Sequence, residues 1–219
     1  MKIMGALVMM VAAFVGEDGK QAFVDIGQEI PTIMLDVRYA SNDNFTGRPI
    51  IGYKAAKIYI SHEAAAVLKL IQAELQSEGL SLKIFDAYRP QRAVDDFVSW
   101  AANEHDTKTK AKYYPEIKKD RIIPDGFVAE KSGHSRGSTL DLTIVDAKGN
   151  ELDMGSGWDY FGAKSHALYK GITPAQAANR MKLRDIMIRY GFKPYDEEWW
   201  HFTLVDEPYP DRYFDFEIE

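Results

Sequence analysis

The sequence has no cysteine among its 219 residues, and only five histidines. Disulfides and thiolate chemistry are excluded, and any metal site must be assembled from His, Asp or Glu. The absence does not fix a compartment, because exported proteins can fold without disulfides. Surplus positive charge is also missing: 27 Lys and Arg stand against 33 Asp and Glu, a net charge of -6, with a pI near 5.4. No basic block is available to neutralise phosphates, which argues against nucleic acid as a partner. Long hydrophobic runs are lacking too. The N-terminal run from Ile3 to Val15 is shorter than the roughly 20 residues that cross a bilayer, and no later segment resembles a membrane span.

What is present is ample core material. Hydrophobic residues make up 46% of the chain, enough for a sizeable core at a length that suits one domain or a compact pair. Lys2 followed by the apolar run has the form of a secretory signal, with Val11-Ala12-Ala13 as a small-residue cleavage site. Residues 1–15 are therefore expected to be a signal peptide or an apolar N-terminal segment, and 20–219 the functional domain. Export to the periplasm or beyond follows if the run is a signal; the alternative is a cytoplasmic protein whose first strand or helix is buried.

Hydrophobic periodicity and caps predict a helix over Ser61 to Glu78, capped by Ser61, ended by Gly79 and striped with Val67, Leu68, Ile71 and Leu75. A short strand, Leu80 to Phe85, precedes Asp86-Ala87-Tyr88-Arg89-Pro90, and a second helix follows Pro90. Residues 104–131 read as irregular and charged, long for a structureless loop and so a candidate functional one. Leu140 to Val145 reads as a strand with Leu140, Leu142 and Ile144 on one face and Asp141, Thr143 and Val145 on the other. Thr173-Pro174-Ala175-Gln176 forms a capping box for a third helix ending at Gly191. Trp199 to Val205 is the last strand. Helices segregated from scattered strands indicate an α+β fold.

Two segments carry chemistry. One runs from Ser132 through His134 to Asp141; the other is Glu198-Trp199-Trp200-His201. Together they offer two imidazoles and a carboxylate as metal ligands, plus an unligated Glu, the parts of a catalytic zinc site. An odd separation in a regular strand puts side chains on opposite faces. Hence His134 is expected in a glycine-flanked loop and Asp141 at the start of its strand. Glu198 must leave its own strand through a turn or bulge to act as a general base. Each spacing alone is common by chance, and a single His beside Trp is more often a packed core residue. Arg89, where strand gives way to helix, is read either as a salt-bridge partner or as a stabiliser of an oxyanion or substrate carboxylate. His62, His105 and His166 are assigned no role.

With these motifs the chain resembles the zinc D-alanyl-D-alanine dipeptidases, which are linked to vancomycin resistance and peptidoglycan turnover and related to D-Ala-D-Ala carboxypeptidases and the hedgehog domain. The wider group shares the Ser132 to Asp141 and Glu198 to His201 patterns. The dipeptidase branch is marked by Asn44-Phe45-Thr46-Gly47, the segment from Asp86 to Val94, Met154-Gly155 with Trp158-Asp159, and Asp206-Glu207-Pro208-Tyr209-Pro210. The resemblance implies a single α+β domain with a central antiparallel sheet and flanking helices, of the hedgehog/DD-peptidase type. It implies one Zn2+ per chain on His134, Asp141 and His201, Glu198 as catalytic base and Arg89 as transition-state stabiliser. It further implies that Asp159 receives the substrate ammonium and that Tyr39, Tyr53 and Ser132 line a pocket for a dipeptide. Two positions depart from the family pattern: Gly133 replaces a frequent Ser, and Thr139 a usual Ala. Both leave the ligands intact and bear on substrate preference.

Overall fold

The computed structural model describes residues 19–219; the apolar segment 1–15, expected to be a signal, lies outside them. In chain order the elements are β1 (Phe23–Asp25), α1 (Ile26–Glu29), β2 (Met34–Leu35), β3 (Tyr59–Ser61), α2 (His62–Ser77), β4 (Leu80–Asp86), α3 (Gln91–Ala102), α4 (Lys110–Tyr113), β5 (Thr139–Asp146), α5 (Pro174–Arg189), β6 (Phe192–Tyr195) and β7 (Glu198–Leu204). Five strands form one sheet in the order β2-β4-β5-β7-β6, and β1 pairs with β3 in a separate ribbon. This is the α+β class expected. The sheet is antiparallel except at one edge, where β2 runs parallel to β4.

Local chemistry explains the helices. The Ser61 hydroxyl accepts the Ala64 amide and starts α2, whose buried face carries Ala64, Leu68, Ile71 and Leu75. Thr173 and Gln176 cap α5 reciprocally, with Pro174 at its first turn. Each fully buried Leu or Ile side chain contributes about 1.5–3 kcal/mol, so these stripes fix the helices on the sheet. Among the described residues no helix is long and apolar enough to cross a membrane.

The central strand β5 is buried on both faces. Leu140, Leu142 and Ile144 enter the core with no exposed surface, while Thr139, Asp141 and Thr143 alternate to the opposite face, from which Asp141 enters the site. Two irregularities in the neighbouring strands shape that side. The β4–β5 register shifts between Ile84 and Asp86, so that Asp86 stands opposite Asp141. The β6–β7 register jumps after Pro194↔Phe202 to Tyr195↔Glu198. Residues 199–201 of β7 thus have no β6 partner, which turns the start of the strand.

Candidate active site

His134 is held by a short 3-10 turn, Gly133–Arg136, whose start is capped when the Ser132 hydroxyl accepts the His134 amide. Gly137 ends the turn in the left-handed region at φ 85. A Cβ there would fall 2.1 Å from the Phe23 ring, so only glycine serves. Asp141 lies on β5, directly paired with His201 on β7. Sequence parity thus placed these two on a common face correctly, and the loop expected for His134 is present. Glu198 reaches the same place through the register jump, the bulge that its odd spacing required.

Asp141 Oδ1 lies 3.1 Å from His201 Nδ1 and 3.4 Å from His134 Nε2, and the two imidazole nitrogens are 3.3 Å apart. A tetrahedral ion with ligands at about 2.0–2.1 Å has ligand–ligand edges of about 3.3–3.4 Å. The triangle therefore fits a single metal ion. Two further observations agree. Asp141 Oδ1 is buried without a hydrogen-bond donor, an unusual state for a carboxylate oxygen. His134 Nδ1 is 2.7 Å from the Ala87 carbonyl, which can only accept; the proton is thereby held on Nδ1 and the Nε2 lone pair faces the triangle. Burial would raise the Asp141 pKa, yet the two imidazoles hold it well below the usual carboxylate range. Burial and the nearby Arg89 cation push His134 down. Burial opposes protonation of His201 as well, but its contact with Asp141 raises it.

Glu198 Oε2 lies 3.4 Å from His201 Nδ1, beside the triangle but outside it. Burial lifts its carboxyl to about 7, the range in which a general acid–base group exchanges protons at neutral pH. Arg89 faces the same cavity. Its Nε donates to Asp86 Oδ2 at 2.9 Å, and its Nη2 lies 2.9 Å from that oxygen and 3.7 Å from Asp141 Oδ2. Its cation rests over the rings of Tyr39 and Phe97 at 5.3 and 5.0 Å. Arg89 is thus ion-paired to Asp86 behind, as the salt-bridge reading expects, and lines the cavity in front. Asp159 is buried and accepts the Tyr39 hydroxyl at 2.8 Å. Burial, then the neighbouring Asp141, raise its pKa far above the carboxylate norm, against the opposing pull of the Arg89 cation.

These groups line one cavity of about 230 Å3, with Phe45, Phe97, Phe127 and Phe161 as apolar wall. That is below the roughly 300–1,000 Å3 of pockets for drug-sized ligands and suits a small polar molecule. Tyr39, Ser132, Arg89, Asp159 and Glu198 are on the wall. Tyr53 is not: its hydroxyl donates to Asp86 Oδ1 at 2.6 Å, behind Arg89. The stretch 104–131, expected to be irregular, holds the short helix α4 and a 3-10 turn at Lys119–Arg121, and its end supplies the rim from Gly126 to Lys131.

Three contributors were not singled out from sequence. Asp86 orients Arg89, and its signal was a carboxylate three residues before an arginine in a turn. The Trp158 indole donates to Asp141 Oδ2 at 3.2 Å while stacking on Phe85; nothing in its spacing marks that bond. The Ala87 carbonyl has no side-chain signal at all.

The profile of the D-ala-D-ala dipeptidase family matches residues 19–219. A D-alanyl-D-alanine dipeptidase of Enterococcus faecalis is 44% identical over 200 residues, covering 91% of this chain and 99% of that protein. One of Streptomyces coelicolor is 45% identical over 91% of this chain and 98% of its own length. One of Escherichia coli is 35% identical over 83% of each. Among solved structures, the zinc-complexed vancomycin-resistance D,D-pentapeptidase VanY aligns with a TM-score of 0.40 at 15% identity, over 68% of this chain and 74% of that one.

Proposed function

We infer the chemistry of this cavity from the premise that the chain belongs to the D-Ala-D-Ala dipeptidase family. It is a zinc metallopeptidase that hydrolyses D-Ala-D-Ala to free D-alanine, an activity of peptidoglycan turnover or glycopeptide resistance. One observation carries the assignment of that reaction to this place: three ligand atoms 3.1–3.4 Å apart with an unligated, half-buried Glu198 beside them. His134, Asp141 and His201 would hold one zinc ion per chain. When bound, zinc supplies Lewis acidity, lowering the pKa of water to roughly 7 and polarising a carbonyl oxygen.

The chain's own groups do the rest. Glu198 takes a proton from the attacking water and delivers it to the departing amine as the C–N bond breaks, leaving two D-alanine molecules. A carboxyl poised near 7 can do both. Arg89, kept in place by Asp86, faces the carbonyl oxygen as it becomes negative; Tyr53 acts behind both, through Asp86. Asp159 and Tyr39 meet the substrate ammonium, which pairs with the buried Asp159 carboxylate on the cavity wall. Ser132 closes the pocket beside His134. Residues 20–219 form the dipeptidase domain in this reading. We further propose that residues 1–15 direct export. Mass spectrometry of the mature N-terminus checks this: an intact Met1 in the exported or total protein would refute cleavage.

Recognition of both ends of the substrate is tested by comparing D-Ala-D-Ala with a stem pentapeptide ending in the same pair. A free ammonium at Asp159 should make the dipeptide preferred by at least about 100-fold in kcat/KM, since buried polar groups left unpaired penalise the wrong substrate strongly. Equal rates on the two would favour a carboxypeptidase instead.

A further inference from the structure

Arg180 on α5 is buried, with 2% of its surface exposed, and it lies outside the catalytic cavity. Among the described residues no carboxylate approaches it within ion-pair distance. Its guanidinium is instead spent on main-chain carbonyls. Nε donates to Met154 O at 2.6 Å, Nη1 to His166 O at 2.6 Å and Nη2 to Lys164 O at 2.7 Å. Its remaining hydrogen bond is to the Ser156 hydroxyl at 3.4 Å, which also accepts the Trp199 indole, and its cation lies 6.0 Å from the Trp199 ring centroid. Burial draws its pKa down to about 10, against the weaker opposing pull of Asp153.

All three carbonyls belong to one segment, 154–166, and they bracket Trp158 and Asp159. The first of these donates to the ligand carboxylate of Asp141, and the second faces the cavity as the ammonium acceptor. Asp159 is also the one non-glycine residue of the described chain with positive φ, at 59. Such a backbone costs about 1–3 kcal/mol and persists only where its surroundings impose it. Asn179 and Gln176, on the same helix, add bonds to Asp153 at 2.9 Å each. A planar fork of five donors reaches three separately placed carbonyls from three nitrogens, whereas a lysine offers its three donors from a single nitrogen.

We propose that Arg180 is a positioning residue for substrate recognition, clamping segment 154–166 so that Asp159 meets the dipeptide ammonium and Trp158 meets Asp141. The role of Asp159 rests on the dipeptidase reading; the clamp itself does not. The cation is buried at a cost that a purely apolar helix face would avoid, and what it secures is the segment carrying both site residues. Arg180 should therefore influence binding of the free amino end more than the bond-breaking step.

The test uses the zinc-loaded full chain, Arg180→Met and Arg180→Lys. Hydrogen exchange reads the clamp without reference to activity. The amides of Phe161, Ser165 and His166 should exchange at least about 10-fold faster in Arg180→Met, since each lost charge-assisted bond corresponds to about that factor. Strand Leu80–Asp86 should keep its protection. Arg180→Lys, able to reach one carbonyl, should fall between and serves if the Met variant does not fold. In turnover, KM for D-Ala-D-Ala should rise about 10- to 100-fold, with kcat falling less. The preference over N-acetyl-D-Ala-D-Ala should shrink. A role in general stability would lower rates on both substrates alike and leave KM unchanged. Unaltered exchange across 154–166, or unaltered KM and preference, overturns the proposal. If the unmodified enzyme releases no D-alanine, the dipeptidase reading falls, and the exchange data still decide the clamp.

Discussion

Gly133→Ala offers a prediction whose size follows from the coordinates. A Cβ at 133 would fall 2.8 Å from Thr139 Oγ1 and 3.7 Å from its Cβ, so the threonine must move by several tenths of an ångström. It is fully buried and shares a 2.9 Å hydroxyl contact with Thr203 across β5 and β7. Overpacking of this kind costs about 1–3 kcal/mol, and rotating the hydroxyl away forfeits a bond worth about 1 kcal/mol. Thr139→Ala alone loses that bond and leaves a small void, about 1–2 kcal/mol in total. In the double variant the methyl at 133 enters the space that Thr139 vacates. The two costs should then fail to add, with a favourable coupling of about 1–2 kcal/mol. Urea unfolding of the four zinc-loaded proteins, at constant m, measures it. Additivity to within about 0.5 kcal/mol would refute the reasoning. If the coupling is found, the two departures from the family pattern are one compensated exchange: a side chain missing at 133 because a hydroxyl fills its place from 139.

Other outcomes follow from the same geometry. Trp158→Phe keeps the stack on Phe85 and removes the indole donor to Asp141 Oδ2; zinc affinity, read by chelator competition, should fall about 10- to 100-fold. Lys119 is buried with its ammonium over the Trp100 ring, and burial draws its pKa from 10.5 down to about 7. Between those values the unfolded chain binds the extra proton, so stability should rise with pH from about 7 toward 10, by at most about 1.4 kcal/mol per unit. Lys119→Met should lose that rise relative to the unmodified protein in unfolding curves at pH 7 to 9. Identical slopes would show that the ring holds the charge on the amine.

Much of the site was legible because its chemistry is carried by residue types and spacing. Two histidines, an aspartate and a glutamate in two short segments are enough to propose a metal centre. Strand parity also placed Asp141 and His201 on one face and required Glu198 to turn out of the strand. The helices were legible for a similar reason: Ser61 and Thr173 cap locally, and the α2 stripe repeats regularly. What escaped depends on long-range contacts. Tyr53 was expected on the pocket wall, yet it lies behind Arg89, because which side of a buried aspartate a tyrosine meets is set by packing. The parallel β2–β4 pair escaped because two residues carry no periodicity. Arg180 reads in sequence as an ordinary helical charge; only the fold shows that it faces three carbonyls and no acid.

The central claim is that Glu198 performs proton transfer at a zinc site cutting D-Ala-D-Ala. It is tested most directly by measuring zinc content and D-alanine release together in the unmodified protein and in Glu198→Ala. One zinc per chain in both, with release lost only in the variant, is the predicted result. Release that persists in the zinc-loaded variant, or none from the zinc-loaded unmodified protein, would contradict the account.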